Sequence, residues 1–154
     1  MSTQNKSICR RVFEEGFNKG DMAFADQIVA QNHVSHDPNE PPNNPQGPAG
    51  IKEIIRMYRA AFPDLRITID EQIAEGDRVV TRWTSRGTHK GQLMDLAPTG
   101  KTATVVGMSI DRIENGKIVE SWVNWDLAGL MQQLTGKMEQ RVRPDGGRQQ
   151  PQTR

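Results

Sequence analysis

Proton transfer near neutral pH needs histidines or carboxylates held in unusual surroundings, and few positions in this chain offer that. Two of the three histidines stand in the run His33-Val34-Ser35-His36-Asp37-Pro38. A stiff, proline-rich segment can hold an imidazole over a pocket, so His36 is expected at a site. His33 is the secondary candidate, with a solvated surface position as its alternative. The third, His89, falls on the same strand face as Trp83 if residues 77–90 form a strand, and that face should line the interior. Asp126 ends a β-like run and begins a helical one. It therefore has two possible roles: N-cap of the helix, or a carboxylic acid in a partly apolar cavity. In the second case desolvation raises its pKa toward neutrality and suits it to general acid–base work. Trp122 and Asn124 share its expected face. With Trp83, His33, Met108 and Tyr58 they make the expected substrate-binding walls around the catalytic candidates Asp126, His36 and His89.

Other chemistries lack their parts. There is one cysteine, Cys9, so no thiolate cluster or intrachain disulfide can form, and Cys9 reads as a small buried hydrophobe. No His-x-x-x-His helix, glycine-rich phosphate loop or Gly-x-Ser-x-Gly elbow occurs. Neither a metal nor another cofactor is expected.

The elements that would position these residues follow from periodicity. Residues 4–18 carry apolar positions at helical spacing up to Gly20, and Asp21 can start a second, shorter helix with Phe24, Ile28 and Val29. Residues 31–50 hold five prolines and four asparagines and read as a long loop. A third helix is expected from 49 to 61, stopped by Pro63. Alternating strands follow near 65–73, 77–90, 102–113 and 117–126, with Glu75-Gly76-Asp77 and Glu114-Asn115-Gly116 as turns. Leu127–Leu134 is a short closing helix. Three helices before a run of long antiparallel strands is an α+β arrangement, and a strongly curved sheet wrapped on helices leaves an open-mouthed cone.

Composition sets the remaining bounds. At 154 residues the chain suits one domain, expected over 1–136. Residues 137–154 carry five cations against two anions, with few apolar side chains, and read as a disordered basic tail. The whole chain is +1, so the body is weakly acidic and presents no basic face for nucleic acid. No apolar run approaches the roughly 20 residues that span a bilayer, and the N-terminus lacks a secretory apolar core; a cytoplasmic location is expected.

Between Met57 and Leu134 the motifs Tyr58-Arg59-Ala60-Ala61-Phe62-Pro63-Asp64-Leu65, Glu75-Gly76-Asp77-Arg78-Val79-Val80, Gly87-Thr88-His89-Lys90-Gly91, Pro98-Thr99-Gly100-Lys101 and Asn115-Gly116-Lys117-Ile118-Val119-Glu120-Ser121-Trp122 occur in order. With Asp126-Leu127-Ala128-Gly129-Leu130 and the earlier His36-Asp37-Pro38, this pattern resembles the SnoaL-like polyketide cyclases of the nuclear transport factor 2-like superfamily. The resemblance implies a cone-shaped α+β barrel, a homodimer or homotetramer, no cofactor, and an apolar carbonyl-bearing small molecule as substrate. It further implies a lyase- or isomerase-type intramolecular aldol condensation, with Asp126 as general acid–base. Asn124 stands where the family tends to carry a histidine, and an asparagine can donate a hydrogen bond but cannot shuttle a proton. Two alternatives stay open: an epoxide-hydrolase-type enzyme of the same fold, for which Arg82 would be needed, and a non-catalytic binding protein.

Overall fold

The computed structural model describes residues 2–136; the expected tail lies outside them. The chain starts with helix α1 (Ser2–Arg11), which runs directly into a π-helical turn over Val12–Phe17, and a short helix α2 (Ala23–Ile28) follows. Asp21 Oδ1 accepts from the Ala23 backbone N–H at 3.0 Å, the capping role its residue type favours. The third helix, α3, is Gly47–Ala61, with Pro48 in its first turn. Gly16 lets these helices approach, since a Cβ there would fall 2.6 Å from the Phe24 ring and 2.8 Å from Ile55.

Five strands form one sheet in the order β1-β5-β4-β3-β2. They are β1 (Val29–His36), β2 (Arg66–Glu75), β3 (Arg78–Thr88), β4 (Thr102–Glu114) and β5 (Lys117–Trp125), and α4 (Leu127–Thr135) closes the chain. The four sequential strands are antiparallel, and Asn115 and Gly116 take the positive φ values (52° and 74°) that a tight β4–β5 hairpin requires. The sheet curves around α1, the π turn and α3 without closing on itself, so the architecture is the α+β cone expected.

One expected loop is partly a strand. Val29–His36 pairs in parallel with β5, which makes the sheet mixed and shortens the loop to residues 37–46. The register shifts between Val29 and Val34, and that irregularity breaks the two-residue alternation by which a strand is recognised.

On β3 and β4 the inward faces match the alternation. Val79, Thr81, Trp83 and Gly87 are buried, as are Ala103, Ser109, Asp111 and Ile113, while Arg82, Arg86, Val106 and Met108 face out. Trp83 lies across Gly107, its direct cross-strand partner, and a Cβ at Gly107 would sit 2.2 Å from Trp83 Cζ2. Gly107→Ala is therefore expected to destabilise the fold by about 1–3 kcal/mol through overpacking, read as a lower urea midpoint at unchanged m-value. An unchanged midpoint would mean that the ring shifts freely.

Candidate active site

The concave side of the sheet and the helices enclose a cavity of about 490 Å³. Val12, Phe13 and Phe17 of the π turn roof it, and widened turns of this kind are frequent at functional sites. Tyr58, Phe62, Leu65, Ile67, Trp83 and Trp125 add apolar wall, and the loop after β1 closes one side with Asp37, Glu40, Pro41 and Asn43 to Gln46. That loop is tied down by its own asparagines. Asn39 Nδ2 donates to the Trp125 carbonyl oxygen at 3.3 Å, and Asn44 Nδ2 donates to the Gly50 carbonyl oxygen at 3.1 Å and to Glu40.

The floor is polar. Asp111 and Ser121 are direct cross-strand partners on β4 and β5, and Ser121 Oγ donates to Asp111 Oδ1 at 2.5 Å. His33 Nε2 lies 2.9 Å from Ser121 Oγ. Because the serine proton points at the carboxylate, the imidazole is the donor in that contact. Burial pushes the Asp111 carboxyl up from 3.8 to about 6, although donation from Ser121 and from the Cys9 thiol favours its charged form. Burial also pushes the Cys9 thiol up, with Asp111 adding to the shift, so the thiol stays protonated as a donor rather than a nucleophile. Desolvation lowers His33 from 6.5 to about 4, which keeps the imidazole neutral. Nearer the loop, burial raises Asp37, whose carboxylate accepts the Asn39 N–H at 2.8 Å. Tyr58 is held un-ionised by burial and by Asp37, and meets Trp125 edge-on with ring centroids 5.6 Å apart.

Of the expected site residues, His33, Trp83 and Tyr58 line this cavity, and the others do not. Trp122, Asn124 and Asp126 are displaced by a bulge. Ile113 pairs with Ile118 but Arg112 pairs with Glu120, so Val119 is an extra residue and the side-chain alternation of β5 inverts beyond it. Ile118 points into the core; after the bulge Ser121, Val123 and Trp125 face the cavity, and Trp122 and Asn124 face out. His36 is also outside. It stacks on Trp122 (centroids 5.3 Å apart, planes at 22°) and its Nε2 meets Glu120 Oε2 at 2.8 Å. That contact is the main cause holding the half-buried Glu120 carboxyl below its usual range. The Arg78 guanidinium covers the Trp122 ring at 4.9 Å.

Met108 is 48% exposed on the same outer face. His89 is fully buried but outside the cavity: its Nδ1 accepts the Thr99 backbone N–H at 3.1 Å and its ring packs on Phe62, fastening the 89–101 loop. Asp126 is exposed and its Oδ1 accepts the Gly129 N–H at 2.9 Å, the N-cap role. Asp126, His36 and His89 therefore do not share one cavity. Asp126→Ala should cost about 1 kcal/mol of stability and Asp126→Asn almost nothing, since Asn caps as well as Asp. Equal losses in thermal melts of the two variants would show that the cap is not what the carboxylate supplies.

Arg82 does pair with acids, at 2.8 Å from Glu71 and 3.7 Å from Asp70, but on the convex face and not over the cavity. Among the described residues no three His, Cys, Asp or Glu side chains converge in a way that could hold a metal ion, and no helix is long and apolar enough to cross a membrane. Sequence reasoning missed Asp111 and Ser121. The available signal was a carboxylate on the buried parity of β4, in line with Ala103, Val105 and Ile113.

The fold is a cone of curved sheet over a largely apolar cavity with a buried acid, and comparison with known proteins gives its family. The model of the SnoaL-like polyketide cyclases matches residues 7–134, and the chain belongs to that family. TsrD from Streptomyces laurentii superposes with a TM-score of 0.79 at 26% identity, covering 89% of this chain and 98% of that one. IdmH from Streptomyces antibioticus, a proposed polyketide cyclase, gives 0.74 at 30% identity over 85% of this chain and 98% of its own. A proposed polyketide cyclase from Acidithiobacillus ferrooxidans gives 0.77 at 30% identity over 87% and 96%. Curated proteins provide no match.

Proposed function

We propose that this protein is an acid–base enzyme of the cyclase type, acting on an uncharged, apolar, carbonyl-bearing molecule, with Asp111 as the proton carrier. The observation that carries the reading is a buried carboxyl on the floor of a largely apolar cavity, with burial bringing its pKa to about 6. A carbon next to a carbonyl is acidic enough for one such carboxylate to remove its proton, provided donors steady the enolate oxygen. The candidate for that second duty is Tyr58, whose un-ionised hydroxyl lines the cavity. Ring closure by aldol addition follows if a second carbonyl of the same molecule folds back onto the enolate.

The cavity walls favour an uncharged substrate. Among the described residues Asp37, Glu40 and Asp111 line the cavity and no lysine or arginine does, so an anionic substrate would face repulsion without compensation from them. A volume of about 490 Å³ accommodates a molecule the size of a few fused rings. The epoxide-hydrolase alternative loses support because Arg82 lies on the convex face. The reading includes a homodimer through that face, where Val106 is 57% and Met108 48% exposed; sedimentation as a monomer at high micromolar concentration would contradict it.

The experiment needs no knowledge of the natural substrate. Deuterium uptake at the α-carbon of apolar keto esters, followed by proton NMR in D₂O, reports enolisation directly. The protein is expected to accelerate uptake for the ester and at least tenfold less for the matching free acid. No acceleration for any ester, or a preference for the acid, would overturn the reading.

A further inference from the structure

Four side chains from four elements form one chain of contacts beneath the cavity: Cys9 of α1, Asp111 of β4, Ser121 of β5 and His33 of β1. With Asp111 ionised, every donor in it points toward the carboxylate. Cys9 and Ser121 donate to Asp111, and His33 Nε2–H donates to Ser121 Oγ. A serine between an imidazole and a carboxylate can reverse both of its bonds by turning one proton, which is the condition for a relay. We infer that Ser121 and His33 are positioning residues forming the proton relay through which Asp111 loads and unloads, with His33 Nδ1 as its far end. This rests on the reading of Asp111 as the proton carrier.

The step balances. A proton binds at His33 Nδ1, the Nε2 proton passes to Ser121 Oγ, and the original serine proton passes to Asp111 Oδ1. One proton enters and one arrives. Asp111 then donates to Ser121, Ser121 donates to His33 Nε2, and the imidazole is neutral again in its other tautomer. The charged state of Asp111 is thereby written into which ring nitrogen of His33 carries hydrogen. The surroundings favour a neutral ring in both states, since desolvation of His33 outweighs the attraction of Glu120, and nearby His36 adds to the lowering. On the Asp111 side the only other titratable group in contact among the described residues is the Cys9 thiol, which remains protonated.

The His33 tautomer is measured by ¹⁵N NMR of the ring nitrogens in the folded protein, without substrate. In the wild type the ring is expected to be the Nε2–H tautomer at pH 8. It should convert to neutral Nδ1–H with a midpoint near 6, where Asp111 titrates, and become imidazolium only near pH 4. Ser121→Ala and Asp111→Asn should each abolish the conversion, and Ser121→Thr, which keeps the hydroxyl, should restore it. A ring that holds one tautomer through the Asp111 titration, or a conversion that survives Ser121→Ala, would overturn the relay. If deuterium exchange depends on Asp111 but the tautomer does not switch, the relay fails and Asp111 stands as an isolated base. A switch alongside exchange that ignores Asp111 leaves the relay intact and removes the acid–base reading.

Discussion

Asp111→Asn is expected to lower protein-catalysed deuterium exchange by roughly 10²–10⁴-fold, the usual worth of a general acid–base group. The substitution keeps shape and lets the amide oxygen accept the Ser121 hydroxyl, so the cavity and its ligand affinity should survive. Asp126→Asn, in contrast, should leave exchange within a few-fold of wild type, because Asp126 caps α4 outside the cavity. The pair of variants separates the two carboxylates. Exchange abolished in Asp126→Asn and preserved in Asp111→Asn would return the chemistry to the strand end.

The second large effect is on stability against pH, where two buried groups oppose one another. Folding raises Asp111 from 3.8 to about 6, so between those values the folded state binds more protons than the unfolded one. Its contribution therefore falls as pH rises through that window. Folding lowers His33 from 6.5 to about 4, so there the unfolded state binds more protons and stability rises with pH. Each shift corresponds to about 3 kcal/mol, and the two nearly cancel. Relative to wild type, Asp111→Asn should gain stability by about that amount as pH climbs from 4 to 6, and His33→Gln should lose as much. The double variant should run parallel to wild type. Denaturant midpoints measured across this range decide it; single variants whose curves stay parallel to wild type would show that neither shift exists.

Much of this architecture was legible because long apolar alternation is a strong signal. The helices, the turns at Gly76 and Asn115–Gly116, and the inward face of β3 with Trp83 all follow from periodicity and turn chemistry. The site was harder to read, and the reasons are local. A single extra residue, Val119, inverts the faces of β5, so Trp122 and Asn124 exchange places with Ser121 and Trp125, and nothing in the composition of that strand marks the bulge. β1 was hidden by the same kind of irregularity, and with it the fact that His33, not His36, faces inward. His89 has the expected parity, but its strand ends at Thr88, and Thr99 with the returning loop covers its ring. Asp111 was visible in principle as a charge among inward-facing residues, though only the fold reveals that Ser121, Cys9 and His33 meet it.

Whether the buried carboxylate is the base decides the chemistry of this cavity. The most direct measurement is the pH dependence of kcat/KM for deuterium exchange of one apolar keto ester, which reports the free enzyme's essential ionisation. The rate should rise with pH through a single limb near 6 and reach a plateau, because Asp111 must be ionised to accept the carbon-bound proton. In Asp111→Asn that limb should vanish along with most of the rate. A profile flat from pH 5 to 7 in the wild type, or the same limb persisting in Asp111→Asn, would contradict the assignment.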